Sequence, residues 1–263
     1  MTDRTVIFLH LPKAAGSTLN RVIAQQYAPE AIYQAAGKAP DVRARELAEG
    51  TTAPAKIRLI TGHLAFGVHR EVRGDFTYIT VLRDPVERLL SHYHYARKLT
   101  KHPLHADVVS GRLTLREAAR QMANHQTRYL ADEAVRGTAE TADRDALESA
   151  KENLTRYFAV AGLTERFEET LILLQQKLGW KVRPVASSNV TRGRPGQRTH
   201  SEDDLAAIRA MNGLDLELYD WVRARFEAEV ARAGAGFRAR VKWLRFRNRA
   251  LHLGNRLASR KTA

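Results

Sequence analysis

Two short segments carry the residue types that could do chemistry in this chain. The first is Phe8-Leu9-His10-Leu11-Pro12-Lys13-Ala14-Ala15-Gly16-Ser17-Thr18-Leu19, and the second is Ile79-Thr80-Val81-Leu82-Arg83-Asp84-Pro85-Val86-Glu87-Arg88-Leu89-Leu90-Ser91. Each reads as an apolar strand that turns sharply into a helix, with cations and hydroxyls at the turn. In the first, Ala14, Ala15 and Gly16 let the backbone approach an anion closely. The free N–H groups of the helix start point at that anion, and the helix dipole favours its charge. Lys13 adds a cation, and Ser17 and Thr18 add hydroxyl donors. The plainer alternative is a helix cap beside a solvated lysine. In the second segment Arg83 closes a strand, and Asp84, Glu87, Ser91 and His94 or Tyr95 share a helix face. Arg83 can grip a phosphate in fork geometry while Ser91 donates from the adjoining helix. Taken alone, this segment would read as an ion pair of Arg83 with Asp84 or Glu87. Taken together, two phosphate grips suit a nucleotide phosphorylated at both ends of its ribose.

The elements that must position these residues alternate between strand and helix. Thr5 to Leu9 is a β-branched apolar run, the pattern of a buried parallel strand. A helix from about Ser17 presents Leu19, Val22 and Ile23 to the sheet. Residues 28–54 read as loop with a short helix, and Lys56 to Thr61 as a second strand followed at once by Gly62-His63. Phe76 to Leu82 is a third strand. Asp84 as N-cap, Pro85 at the first helical position and Glu87 closing a capping box then start a helix to about Lys98. Residues 101–150 read as mainly helical. Tyr157 to Leu163 is a fourth strand, with Thr164 capping a helix that carries Phe167, Leu171, Leu174 and Leu178. Ser201 opens another helix, with Asp204 in the place of its box acid, and a further one spans about 215–230. The fold class expected is α/β: a P-loop-like three-layer fold with a central, mainly parallel sheet flanked by helices, plus a basic C-terminal helical extension. The division expected is a domain over 1–230 and an extension over 231–263.

Composition narrows the function. The 263 residues include no cysteine, which excludes disulfides, thiol catalysis and thiolate metal sites. No 20-residue apolar run and no signal-peptide pattern is present, so the expected location is the cytoplasm. Net charge is +14, and ten Lys and Arg residues follow Glu229, the last acid in the chain. Such a tail attracts polyanions. Phe237, Val241, Trp243, Leu244, Phe246, Leu251, Leu253 and Leu257 are interleaved with those cations at helical spacing. The pattern suits an interfacial helix on the inner face of an anionic membrane, or a terminal helix packed on the body with an arginine-rich outer face. Nucleic acid is the less favoured partner, and oligomeric state is not legible.

The two turns resemble motifs of the nucleotide-dependent sulfotransferases, most closely the branch containing heparan sulfate 2-O-sulfotransferase and its bacterial relatives. Leu11 to Leu19 is similar to that family's 5′-phosphosulfate loop, and Val81 to Tyr93 to its 3′-phosphate motif. Gly62-His63 resembles its catalytic-histidine segment. Glu152 to Glu165, His125 to Leu130 and Asn212 to Tyr219 are also family-like, so the similarity runs in order over about residues 5–230. A second histidine of the eukaryotic relative, two positions before the Gly-His histidine, is Thr61 here.

This resemblance implies 3′-phosphoadenosine 5′-phosphosulfate (PAPS) as donor, no metal, and transfer of a sulfuryl group to a hydroxyl of a glycan or glycolipid. It makes Lys13 and His63 the catalytic residues, with His63 as base. Ser17, Thr18 and the backbone of Lys13, Ala14, Ala15 and Gly16 would hold the 5′-phosphate. Arg83 and Ser91 would hold the 3′-phosphate, and Arg192, in a basic loop with Arg194 and Arg198, would close over the nucleotide. The plainer reading of His92, His94, His102 and His105 is surface or acceptor-cleft residues. Two other functions stay open: a polyanion-binding protein without transfer activity, and a P-loop kinase. Against the kinase stands the lack of Gly-Lys-Ser/Thr.

Overall fold

The computed structural model describes residues 4–35, 37–51, 57–185 and 200–261, the side chains of residue 40 and of 252–261 excepted. Five parallel strands form one sheet: β1 (Thr5–Leu9), β2 (Ile32–Gln34), β3 (Leu59–Gly62), β4 (Phe76–Leu82) and β5 (Phe158–Leu163), in the spatial order β2-β3-β1-β4-β5. Every residue of β1 is buried, as its unbroken apolar run requires of a central strand covered on both faces. In register, Ile7 lies between Ile60 of β3 and Tyr78 of β4.

Eleven α-helices are defined among the described residues. They are α1 (Gly16–Ile23), α2 (Pro40–Gly50), α3 (Pro85–Lys98), α4 (His105–Val109), α5 (Leu115–Gln121), α6 (His125–Leu130), α7 (Arg144–Arg156), α8 (Phe167–Leu178), α9 (Glu202–Met211), α10 (Gly213–Arg232) and α11 (Gly234–Lys261). The expected α/β class with a parallel sheet holds. The segment 28–54, read as loop with a short helix, contains that helix as α2 and also the edge strand β2. Three residues between a proline turn and a second proline leave no alternation for a sequence reading to find.

Two helix starts differ from expectation. The Asp84 carboxylate does cap α3, accepting from Glu87 N–H at 2.9 Å. Glu87, however, does not close a box: its carboxylate lies 3.5 Å from Arg83 Nη2, and the Asp84 N–H donates instead to Glu165 Oε1 at 3.1 Å. Thr164 does not cap the following helix either. Its hydroxyl donates to the Leu82 carbonyl at 3.0 Å, pinning the chain to the end of β4, and a single 3₁₀ turn intervenes before α8. α8 comes so close to β5 that a Cβ on Gly162 would lie 2.1 Å from Thr170 Cγ2.

The first half of the basic tail is packed rather than free. Phe237, Val241 and Leu244 of α11 are buried in the main core. Asn248 accepts from Val185 N–H at 2.9 Å, and Arg245 lies 3.5 Å from Glu169.

Candidate functional site

Strand order reverses direction at β1: successive neighbours are β3 and β2 on one side, β4 and β5 on the other. In open parallel sheets, the crevice at the carboxyl ends of strands at such a point is where ligands bind. Three candidate groups leave the carboxyl ends of the three strands that meet there: Lys13 after β1, His63 after β3 and Arg83 after β4.

The turn after β1 is tightly wound. Lys13 (φ 67°) and Ala15 (φ 59°) both adopt left-handed backbone, a region that costs a β-carbon residue about 1 kcal/mol or more. Ala14 N–H donates to Leu11 and Thr18 N–H to Ala15, at 3.4 and 3.1 Å. Ala14 and Thr18 are buried, Gly16 is buried at the helix start, and Ser17 is exposed. Lys13 Nζ sits 3.6 Å from the centroid of the Tyr95 ring on α3, a cation–π contact. Tyr95 follows Ser91 by one helical turn, so the Lys13 amine reaches the face of α3 that bears Ser91.

Arg83 ties the two turns together. Its Nη1 donates to the Lys13 carbonyl at 3.1 Å, while Nη2 faces Glu87 at 3.5 Å. Its own peptide groups are clamped by the Gln126 side chain. Arg83 N–H donates to Gln126 Oε1 at 3.0 Å, and Gln126 Nε2 donates to the Arg83 carbonyl at 2.9 Å. Gln126 is fully buried at the start of α6. The start of that helix rests on α10: the Asp215 carboxylate accepts from Gln126 N–H (3.1 Å), Thr127 N–H (2.7 Å) and the Thr127 hydroxyl (2.8 Å). In return, Asn124 of the α6 cap accepts from the Leu214 and Asp215 N–H groups at 3.1 and 3.3 Å. Asp215 also faces Arg88 of α3 at 3.8 Å, both fully buried. Arg88 keeps two buried nitrogens, Nε and Nη1, without a hydrogen-bond acceptor.

His63 is exposed and oriented by its neighbour. Its Nδ1 lies 2.8 Å from the His10 carbonyl oxygen. A carbonyl only accepts, so Nδ1 carries the hydrogen and the neutral ring keeps its lone pair on Nε2. Thr61, at the position of the missing second histidine, instead donates to Asn20 Oδ1 of α1 at 3.0 Å. The histidine that does accompany His63 is His10, whose ring lies 4.2 Å away, centroid to centroid.

Two further histidines, His92 and His102, feel the charge of the Lys13 amine. Burial first, then the charges of His102, Arg88 and Lys13, hold His92 down to about 4. Burial and Arg88 push His125 well below the ordinary histidine value. His94 faces His200 with 3.2 Å between their Nε2 atoms. Among the described residues, no group of three or more His, Asp or Glu gathers as metal ligands. No helix among them is long and apolar enough to cross a membrane.

Lys13, Arg83 and the Ser91 face are thus brought together by the fold, and His63 stands beside the same turn. Arg192 lies outside the described residues, as do Arg194 and Arg198. His10, Gln126, Tyr95 and Asp215 carry no assigned role in the sequence. Tyr95 was legible as one of the residues sharing a face with Ser91, and Gln126 and Asp215 lie in the family-like segments His125 to Leu130 and Asn212 to Tyr219. Nothing in the sequence marks His10 apart from its place before Lys13.

The family model described as galactose-3-O-sulfotransferase matches residues 2–256 of the chain. Human heparan-sulfate 6-O-sulfotransferase 1 is 31% identical over 182 residues, covering 58% of this chain and 44% of its own length. Mouse galactose-3-O-sulfotransferase 3 is 27% identical over 190 residues, covering 67% of this chain and 44% of its own. The match thus spans less than half the length of these two relatives. A crystal structure of mouse sulfotransferase SULT7A1 complexed with PAP aligns with a TM-score of 0.42 and 17% identity, over 80% of this chain and 63% of that one. The two curated relatives bear 6-O and galactose-3-O names, so the 2-O branch expected from the sequence is not supported by them.

Proposed function

This chain belongs to the galactose-3-O-sulfotransferase family, and from that premise we propose that it transfers a sulfuryl group from PAPS to a hydroxyl of a carbohydrate or glycolipid acceptor. One observation carries the reading: Lys13, His63 and Arg83 leave the carboxyl ends of three adjacent parallel strands, with Arg83 bonded to the Lys13 carbonyl. PAPS, when bound, supplies an activated sulfuryl group on its 5′-phosphate and a 3′-phosphate that distinguishes it from ATP.

The residues fit such a ligand. The N–H groups of Ala14 and Thr18 are already engaged, so the 5′-phosphate would rest on those between them, Ala15, Gly16 and Ser17. Lys13 would neutralise the charge that grows on this phosphate as its bond to sulfur breaks. Arg83 and Ser91 would hold the 3′-phosphate, Arg83 turning from Glu87 to it. His63 Nε2, free to accept, would take the proton of the acceptor hydroxyl as that oxygen bonds to sulfur. The acceptor class is proposed from the names of the relatives.

Calorimetric titration of 3′-phosphoadenosine 5′-phosphate (PAP) tests the site, with AMP as control. Tight PAP binding, much poorer for AMP and weakened by both Arg83→Ala and Lys13→Ala, is expected. No PAP binding by folded protein would sink the reading. PAP binding with no sulfur transfer from PAPS to any carbohydrate would favour a binding protein, and a preference for ATP with Mg²⁺ would favour a kinase.

We further propose that the outer face of α11 meets an anionic membrane surface, on its cytoplasmic side. Trp243 and Phe246 are 52% and 70% exposed. Arg240, Lys242, Arg247 and Arg249 accompany them without an acid in the helix. Exposed aromatics among long cationic side chains suit the headgroup boundary of an anionic bilayer.

A further inference from the structure

His10 is the residue that follows β1, and it holds His63 twice. Its carbonyl accepts from His63 Nδ1–H at 2.8 Å, and its ring lies 4.2 Å from the His63 ring with 33° between planes. The same ring stacks on Phe8 at 5.3 Å and 13°. On the remaining side it covers the first residue of α1: a Cβ on Gly16 would lie 1.7 Å from His10 Nε2. Gly16 thus makes room for an imidazole. The His10 N–H donates to the Gly62 carbonyl at 3.1 Å, fixing the backbone beside His63.

We propose that His10 is a positioning residue for His63: its flat ring is the platform that keeps His63 Nε2 aimed outward and links that aim to the start of α1. The inference rests on the reading of His63 as the base. Two physical features suit the platform. It is rigid, because Phe8, Gly16 and the β1–β3 ladder enclose it. It is also uncharged, since burial first, and then the charge of His63, hold its pKa down to about 4. A neutral π-face tolerates an imidazolium beside it, whereas a second cation would repel one. His10 itself moves no proton: the acceptor proton goes to His63 Nε2 and from there to solvent.

The chemistry predicts that ring shape matters and ring nitrogens do not. His10→Ala and His10→Phe separate the two. Three readouts are taken: kcat and KM for PAPS, PAP binding by calorimetry, and nitrogen-15 NMR of the His63 ring. The wild type should show the Nδ1–H tautomer of His63. His10→Ala should lower kcat by about 10- to 100-fold while KM for PAPS and PAP affinity stay within about threefold, with the single-tautomer signature lost as the unsupported His63 ring swings away from the main-chain carbonyl of residue 10. His10→Phe should restore both kcat and tautomer to within about threefold of wild type. Wild-type kcat and an unchanged His63 spectrum in His10→Ala would overturn the proposal. So would a folded His10→Phe as impaired as His10→Ala, which would assign the role to the ring nitrogens. If the wild type binds PAP but transfers nothing, the reading of His63 as base fails. The NMR comparison still decides whether His10 sets its orientation.

Discussion

Arg83 Nη1 donates to the main-chain carbonyl of Lys13 at 3.1 Å, so the turn after β4 holds the turn after β1. The two motifs are therefore one constrained unit before any ligand arrives. A guanidinium shared among a carbonyl, the Glu87 carboxylate and an incoming phosphate needs fork geometry. Arg83→Lys is accordingly expected to lose most of the PAP affinity that Arg83→Ala loses, a drop of about tenfold or more. Calorimetry on both variants checks this, and wild-type affinity in Arg83→Lys would remove Arg83 from the ligand's contacts.

Gln126 is the support beneath that arginine. Gln126→Leu leaves the Arg83 N–H and carbonyl without their side-chain partners, groups that cost about 1–3 kcal/mol when buried and unpaired. Urea unfolding should show a loss of that order, and PAP binding should weaken although Gln126 is not proposed to touch the nucleotide. A variant with normal stability and normal affinity would show that Arg83 needs no such clamp.

Asp215 carries more than one duty. It caps α6 and faces the buried Arg88 at 3.8 Å. Asp215→Ala would strand a fully buried guanidinium and uncover two helix-start N–H groups. The expected cost is about 3–5 kcal/mol, enough to threaten folding. A shift in unfolding midpoint worth less than about 1 kcal/mol would mean that water reaches Arg88 in solution.

Acid should destabilise the protein earlier than its carboxylates require. His10 and His92 are each held down to about 4 when folded, against 6.5 for the free side chain. Between those values the unfolded chain binds protons that the folded chain does not, so stability is full above pH 6.5 and falls as pH drops towards 4. Each group adds at most about 1.4 kcal/mol per pH unit to that slope. His92 is faced by His102, Arg88 and Lys13, so His92→Gln should flatten the profile between pH 6.5 and 4 in urea unfolding. An unchanged slope would place His92 in contact with water.

The proposed membrane face makes a separate prediction. Vesicles containing phosphatidylglycerol should sediment the protein, and vesicles of phosphatidylcholine alone should not. Trp243→Ala with Phe246→Ala should reduce binding, and so should raised salt. Binding that survives both changes would sink the proposal, as would preferential retention of nucleic acid.

What is legible in the sequence is what the chain encodes locally. The unbroken apolar run of β1 and the Asp84-Pro85 start of α3 each announce themselves within a few residues. The order of elements then placed Lys13, His63 and Arg83 at strand ends. What escaped depends on distance in the chain. Glu165, 81 residues away, supplies the contact to Asp84 N–H that Glu87 was expected to help complete. Thr164 abandons its cap because β4 offers a carbonyl 82 residues earlier. The side of Gly16 where a Cβ would stand is filled by the His10 ring, a contact that the spacing of the turn does not announce. Such competitions are settled by packing, which spacing alone does not encode.

The mutual capping of α6 and α10 has a consequence for how the Arg83 turn comes into being. Both motif-bearing turns lie before residue 92, yet Arg83 hangs from Gln126, and the helix of Gln126 begins on a carboxylate 89 residues further along. The motifs are therefore not a portable module. A polypeptide ending after α8 contains every residue of both turns and lacks the group that anchors one of them. During synthesis, the Arg83 turn gains its native support only once α10 has been made and folded back.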